Sequence, residues 1–186
     1  MPGRPSDARL VRRATRGDRD AFDELVARHR DRVWAITLRM CRDREDAEDA
    51  LQETFIAAWR ALDRFGGRSE VTTWLYRIAV NKSHDAIARR RTATPLDELH
   101  EPASPVDAGE QRARRAAIEQ ALQTLTPEFR AVAVLCDILG LTPAEAADVL
   151  EIPEGTAKSR VFRARAELAR ALAPDWRPTT ARGDRG

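Results

Sequence analysis

The sequence is poor in cysteine, lysine, tyrosine and glycine and lacks any long apolar run, and these shortages narrow the field. Two cysteines, Cys41 and Cys136, stand about half the chain apart in 186 residues. They rule out a disulfide framework and a cysteine-only zinc site, and they make an intracellular location the default. The longest stretch without a charged residue runs only from Gln120 to Pro127, far short of the roughly 18 residues of a transmembrane span. The opening residues, MPGRPSDARL, hold no apolar run, so no secretory signal is expected. His29, His84 and His100 are scattered and make no metal-ligand spacing with the cysteines. No glycine-rich phosphate loop, nucleophile–base pair or carboxylate dyad stands on a recognisable scaffold. Neither a cofactor nor an enzymatic activity is expected. No segment has the alternating, β-branched pattern of a strand.

What is present is charge. Charged residues make up 33% of the chain and hydrophobic residues 42%, yet the formal net charge is only +2. Thirty of the 32 basic residues are Arg, the exceptions being Lys82 and Lys158. Arg suits phosphate and base recognition, but Arg and Ala rising together also fit a GC-rich genome, so the excess alone decides nothing. The placement says more. Residues 1–17 carry net +4, 43–53 net −5, 77–91 net +4, 92–109 net −4 and 158–170 net +4. A nearly neutral chain is divided into blocks of alternating sign.

The expected fold class is all-α: two small helical domains joined by an extended acidic linker, the second containing a helix-turn-helix. Residues 92–109, TATPLDELHEPASPVDAG, hold Pro95, Pro102 and Pro105 and no helical period, which reads as the linker. Fully extended it reaches about 60 Å. The first domain, 7–91, is expected to hold four helices. The first starts near Asp7 and stops at Gly17; Asp18 and Asp20 offer caps for the second, with Phe22, Leu25, Val26, Val33, Ile36 and Met40 on one face. The third carries Ala47, Ala50, Leu51, Phe55, Ala58, Trp59 and Leu62 behind an acidic first half. After the loop Phe65-Gly66-Gly67-Arg68, Ser69 is the expected cap of the fourth, with Val71, Trp74, Leu75, Ile78 and Ala79 inward. The second domain, 110–173, has a helix ending near Leu125, a second from Thr126-Pro127 to Gly140, and a third opened by the capping box Thr142-Pro143-Ala144-Glu145. The tail, 174–186, is polar.

Residues 142–172 read as a short helix, a tight turn and a basic helix. Small Ala146 and Ala147 allow close packing, and Val161, Ala164 and Leu168 form the inward stripe of the last helix. Thr156, Lys158, Ser159, Phe162 and Arg163 face away from it. In a helix-turn-helix these early positions enter the major groove, where Arg or Lys reads guanine, Ser reaches base or phosphate, and Phe touches a thymine methyl. An ordinary helical hairpin with a solvated Arg face is the competing reading.

Four segments in order resemble the sigma-70 family of bacterial RNA polymerase sigma factors, in its extracytoplasmic-function (ECF) branch. The likeness spans about residues 7–173. AFDELVARHRDRVWAITLRM (21–40) resembles the opening of sigma domain two, and DREDAEDALQETFIAAWRAL (43–62) its polymerase-binding segment. FGGRSEVTTWLYRIAVNKSHDAIARRR (65–91) resembles the segment that melts and reads the minus-ten element, and residues 125–168 resemble sigma domain four. The resemblance implies core polymerase as a partner, through the coiled coil of its largest catalytic subunit and its flap region. Asp46, Asp49, Gln52, Glu53 and Phe55 are the implied contacts with the coiled coil, and an acidic face suits a basic partner. It implies promoter DNA as the second partner. Arg68, Ser69, Thr73, Trp74, Arg77 and Asn81 would meet the minus-ten element, with the 65–73 loop accepting a flipped base. Trp74 also lies on the inward stripe, and core packing is preferred for it over base stacking. Lys82, Arg89, Arg90 and Arg91 would hold phosphates, and Thr156, Lys158, Ser159, Phe162 and Arg163 would meet the minus-thirty-five element. An anti-sigma protein is a further partner of the kind such factors have; no membrane insertion is expected, and the location implied is cytoplasmic. Nothing resembles domain three of larger relatives, so the linker joins domains two and four directly. Two other functions compete: a stand-alone helix-turn-helix regulator, which needs neither the acidic helix nor WLYRIAVN, and a helical interaction protein without a DNA role.

Overall fold

The computed structural model describes residues 5–66, 69–93 and 110–172. Every regular element among them is helical. Helix α1 (Asp7–Ala14) is capped by Ser6, whose side chain accepts from the Arg9 amide. Leu10, Val11 and Ala14 are its buried side, and each of the two larger side chains contributes roughly 1.5–3 kcal/mol by leaving water. Asp7 anchors its start to the next helix, accepting from Arg28 at 2.9 Å and facing His29 Nε2 at 2.7 Å. The chain then turns at Gly17, whose φ of +90° is open to glycine without strain.

Helix α2 (Arg19–Met40) is capped by Asp18, not Asp20. Helix α3 (Arg44–Ala61) is capped by Asp43 and runs antiparallel beside α2, placing Trp59 against Phe22 with ring centroids 4.9 Å apart. A 3₁₀ turn (Leu62–Arg64) leads to the loop before α4 (Val71–Ala93). Helix α4 starts two residues after Ser69, so the carbonyl that accepts from Trp74 N belongs to Glu70. Its end at Ala93 carries regular structure into the first two residues of the expected linker; the rest, 94–109, and the tail 174–186 lie outside the described residues.

Helix α5 (Glu110–Thr124) and α6 (Pro127–Ala133) follow, with Thr126 at the cap and Pro127 at the first position of α6. The expected single helix to Gly140 is interrupted: Val134–Ile138 is π-helical, with Leu139 N bonded to Val134 O. Gly140 ends it at φ +75°. Helix α7 (Pro143–Leu150) opens with both halves of the capping box, Glu145 N to Thr142 Oγ1 at 3.2 Å and Thr142 N to the Glu145 carboxylate at 2.7 Å. Those bonds from Thr142 hold the Glu145 carboxyl below its usual range. Helix α8 (Glu154–Leu172) closes the described chain.

One apolar core runs through both sets of helices, from Leu10 and Ile36 to Leu135 and Val161. Helix α4 explains how. It packs on α2 and α3 and also on α7. Its buried residues, Val71, Leu75, Tyr76, Ala79, Val80, Ser83 and Ala86, therefore wrap further round the helix than one stripe.

Candidate functional site

Helix α3 divides its acidic and apolar groups between two sides. Asp46 and Glu53, seven residues apart and hence on one face, point at α4. Asp46 accepts from Arg90 at 3.0 Å, and Asp43 lies 3.2 Å from the same guanidinium. The Glu53 carboxylate sits 3.5 Å from Lys82 and 3.3 Å from Arg89. Five residues expected to meet phosphate or polymerase thus pair with one another across α3 and α4. The side of α3 toward α2 is mainly apolar, with Glu48 and Arg60 also lining it. Leu51, Phe55 and Trp59 line an open groove with Phe22 and Val26, and Gln52 stands at its edge. Ile56 and Trp59 remain 42% and 39% exposed. Asp49 and Gln52 are exposed.

The residues expected at the minus-ten element lie on α4 and the loop before it. Ser69, Thr73 and Trp74 are half-buried and Asn81 is exposed. Arg68 lies outside the described residues, as does the side chain of Arg91. Trp74 packs against the core and against Phe65 of the loop, ring centroids 4.7 Å apart, so it supports the loop wall. Arg77, one turn before Asn81, is occupied: it donates to Asp148 O at 2.7 Å and pairs with Glu151 at 2.8 Å.

The helix-turn-helix has the form its sequence implies. Ala146 and Ala147 are buried, as are Ala157, Val161 and Ala164 of α8. Glu151 makes the turn with a left-handed φ of +54°. Lys158, Ser159, Phe162 and Arg163 are exposed and Thr156 half-exposed. Phe162, an apolar ring, is 75% exposed. Lys158 pairs with Glu154 at 2.8 Å, and the Ser159 hydroxyl donates to Thr156 O. Arg165, itself exposed, holds Asp137 of the π-helical segment at 2.6 Å.

Sequence reasoning missed Arg130. It sits beside the apolar stripe of α6 yet is only 4% exposed. Its guanidinium donates to the carbonyls of Leu122, Gln123 and Leu125 and, at 2.6 Å, of Met40. A charge adjoining an apolar stripe was the available signal; the partner carbonyls were not. Burial pushes the Cys41 thiol up to about 11 and raises Cys136, so neither is a ready nucleophile. Among the described residues no group of His, Cys, Asp or Glu could hold a metal ion, and no helix is long and apolar enough to cross a membrane.

An exposed basic recognition helix, a helical bundle with an open apolar groove and a polar helix beside a loop define a two-part, helix-turn-helix nucleic-acid-binding protein. The family description "Sigma-70 region 2" matches residues 25–93 and "Sigma-70, region 4" matches 115–168. The RNA polymerase sigma-H factor of Pseudomonas aeruginosa is 37% identical over 183 residues, covering 90% of this chain and 94% of that protein. The ECF RNA polymerase sigma factor SigM of Mycobacterium tuberculosis is 40% identical over 167 residues, covering 90% and 85%. Among solved structures, CnrH in complex with the cytosolic domain of CnrY is similar at a TM-score of 0.70 with 32% identity, over 90% of this chain and 97% of that one. RpoE of Bartonella quintana, in complex with the anti-sigma factor NepR, gives 0.70 with 25% identity, over 83% and 98%. The chain belongs to the sigma-70 family of RNA polymerase sigma factors, in its ECF branch.

Proposed function

We propose that this chain joins core RNA polymerase and directs it to promoters, reading the minus-ten element with 7–91 and the minus-thirty-five element with 110–173, across the 92–109 linker. The observation that carries this is the presence of both sigma regions, in order, on one chain whose recognition helix displays Phe162 and Arg163 to solvent. An apolar ring so exposed gains by meeting a thymine methyl, and the neighbouring exposed Arg163 offers a donor pair for guanine. Within 7–91, the groove beside Gln52, Phe55 and Trp59 and the exposed Asp49 supply an apolar and an acidic contact for the polymerase coiled coil. Ser69, Thr73, Arg77 and Asn81 supply the polar groups for an opened minus-ten strand, with Arg68 expected beside them.

Lys82, Arg89 and Arg90 face phosphate only after exchanging carboxylate partners on α3. Such exposed pairs are worth about 0–1 kcal/mol each, so exchange is cheap. The chain itself is no catalyst; catalysis belongs to the polymerase it joins. The cytoplasm is where it works, and an anti-sigma protein is a partner to be sought. The test is a gel shift of genomic promoter fragments with the chain alone, core polymerase alone, and both. A specific, heparin-resistant complex should need both. A specific shift by the chain alone, unaffected by polymerase, would favour a stand-alone regulator.

A further inference from the structure

The basic start of the chain takes no part in the proposed polymerase and promoter contacts, and the match to "Sigma-70 region 2" begins only at residue 25. It folds as α1 and the turn that follows. Leu10, Val11 and Ala14 are buried against the bundle, and Arg9, Arg12, Arg13 and Arg16 are exposed. Their spacing of i, i+3, i+4 and i+7 puts all four on one side, a stripe about 10 Å long. Arg13 is held by Asp18 at 2.7 Å. Among the described residues no carboxylate pairs with Arg9, Arg12 or Arg16. The other basic segments differ. On α4, Arg77, Lys82, Arg89 and Arg90 each meet a carboxylate, and on α8 so do Lys158 and Arg165. Helix stability does not call for the open charge of α1. Cations favour the last turn of a helix, yet Arg9 stands in the first, at the positive end of the dipole. Arg12 and Arg16, four apart, repel each other.

The place of the stripe in the bundle points to its partner. The start of α1 is tied to the middle of α2 through Asp7 on Arg28 and His29, and its end joins the start of α2 through Gly17 and Asp18. The start of α2 meets the end of α3, where Phe22 packs on Trp59, and from there the chain enters the loop before α4. Arg16 therefore stands at the same end of the bundle as the 65–73 loop. In an opened promoter the DNA beyond that loop is duplex on the minus-thirty-five side and single-stranded on the start-site side. We propose that Arg9, Arg12 and Arg16 grip the sugar–phosphate backbone of the opened strand where it leaves the 65–73 loop toward the start site. A row of unpaired cations suits a repeating anion, and contacts of this kind add affinity without reading sequence. The exposed side of α1 carries no large apolar side chain for a protein partner to bury. The inference rests on the minus-ten role proposed for the 65–73 loop and α4.

The test uses full chains assembled with core polymerase and a promoter fragment that the parent holoenzyme retains in the gel shift, prepared with its minus-ten-to-start segment unpaired. The Arg9→Gln/Arg12→Gln/Arg16→Gln variant keeps helix-favouring side chains and should assemble with polymerase as the parent does. Its plot of log Kd against log salt should be shallower by about 2, for three phosphate contacts at about 0.7 each. Lys at the same three positions should keep the parental slope, because a phosphate needs only the charge. Cutting the single strand back to the minus-ten element should abolish the difference between the parent and the Gln variant. An unchanged slope for the Gln variant would overturn the contact. An equal difference on the shortened DNA would overturn its placement. Loss of polymerase assembly in the Gln variant alone would give the stripe to a protein partner and overturn the DNA contact. Failure of the parent holoenzyme to retain any fragment would strike the proposed function and this contact with it, whereas a retained fragment with an unchanged slope strikes the contact alone.

Discussion

Arg130 does work that its residue type hides. A guanidinium serving four main-chain carbonyls satisfies groups at two helix ends at once. Removing it leaves several buried acceptors unpaired, at about 1–3 kcal/mol apiece. Arg130→Met should therefore destabilise the protein by about 3 kcal/mol or more, a melting temperature lower by about 6–12 °C at this chain length. Thermal unfolding followed by circular dichroism measures it, and a shift no larger than that of a surface Arg→Met would contradict the role. The residues that periodicity placed inward, Leu25, Val33, Ile36, Leu75 and Val161, are indeed buried, because burial of an apolar side chain follows from its own helix face. Arg130 was not legible, since its value depends on Met40, ninety positions away.

At the scale of elements, helix starts were legible wherever a short polar side chain could reach back to a free amide. Ser6, Asp18 and Thr142 cap as their types predict, while α4 passes over Ser69. Thr142→Ala should lower stability by about 1 kcal/mol, or about 2–4 °C in melting temperature; no change would mean that Glu145 and Pro143 suffice to start α7. The π-helical segment had no such mark, and its Asp137–Arg165 pair joins parts of the chain far apart in sequence. Helix α3 shows a subtler gap. The sequence put its acids on a polymerase-facing surface, and α4 occupies two of them. Charge reversal at Asp46 or Glu53 would thus disturb the α3–α4 contact along with any docking. Asp49→Arg with Gln52→Ala, both exposed, isolates docking: yield of co-purified core polymerase should fall at least about tenfold, the scale of losing about 1.4 kcal/mol, with helical content unchanged. Normal co-purification would remove this end of α3 from the interface.

At the scale of the whole molecule, His84 of α4 is a half-buried titratable group at the contact between the two sets of helices. Burial lowers the His84 pKa, with Glu128 and Asp85 opposing that shift and Arg130 adding to it. Between the folded value and the unfolded value near 6.5, the unfolded chain binds more protons, so stability rises with pH across that window. Above about pH 7 the group contributes no pH dependence. Acidification from about pH 7.5 to 5.5 should therefore lower the parent's melting temperature more than that of His84→Gln; equal losses would place the sensitivity elsewhere. Two helical units with a helix-turn-helix in the second could be read from the sequence. Their mutual capping could not, because each cap joins residues on opposite sides of the linker and leaves no local pattern.

The central claim is that one chain carries two separate promoter readers for polymerase. It is tested most directly by reconstituted transcription from a library randomised at both upstream and start-proximal elements, with transcripts sequenced. Arg163→Ala should relax preference at a base pair of the minus-thirty-five element alone, a loss of about 1–3 kcal/mol in discrimination, and Asn81→Ala should change preference only at the minus-ten element. If both variants lower output with the parental sequence preferences intact at both elements, these two residues position the protein and do not read the promoter, and the account fails at its centre.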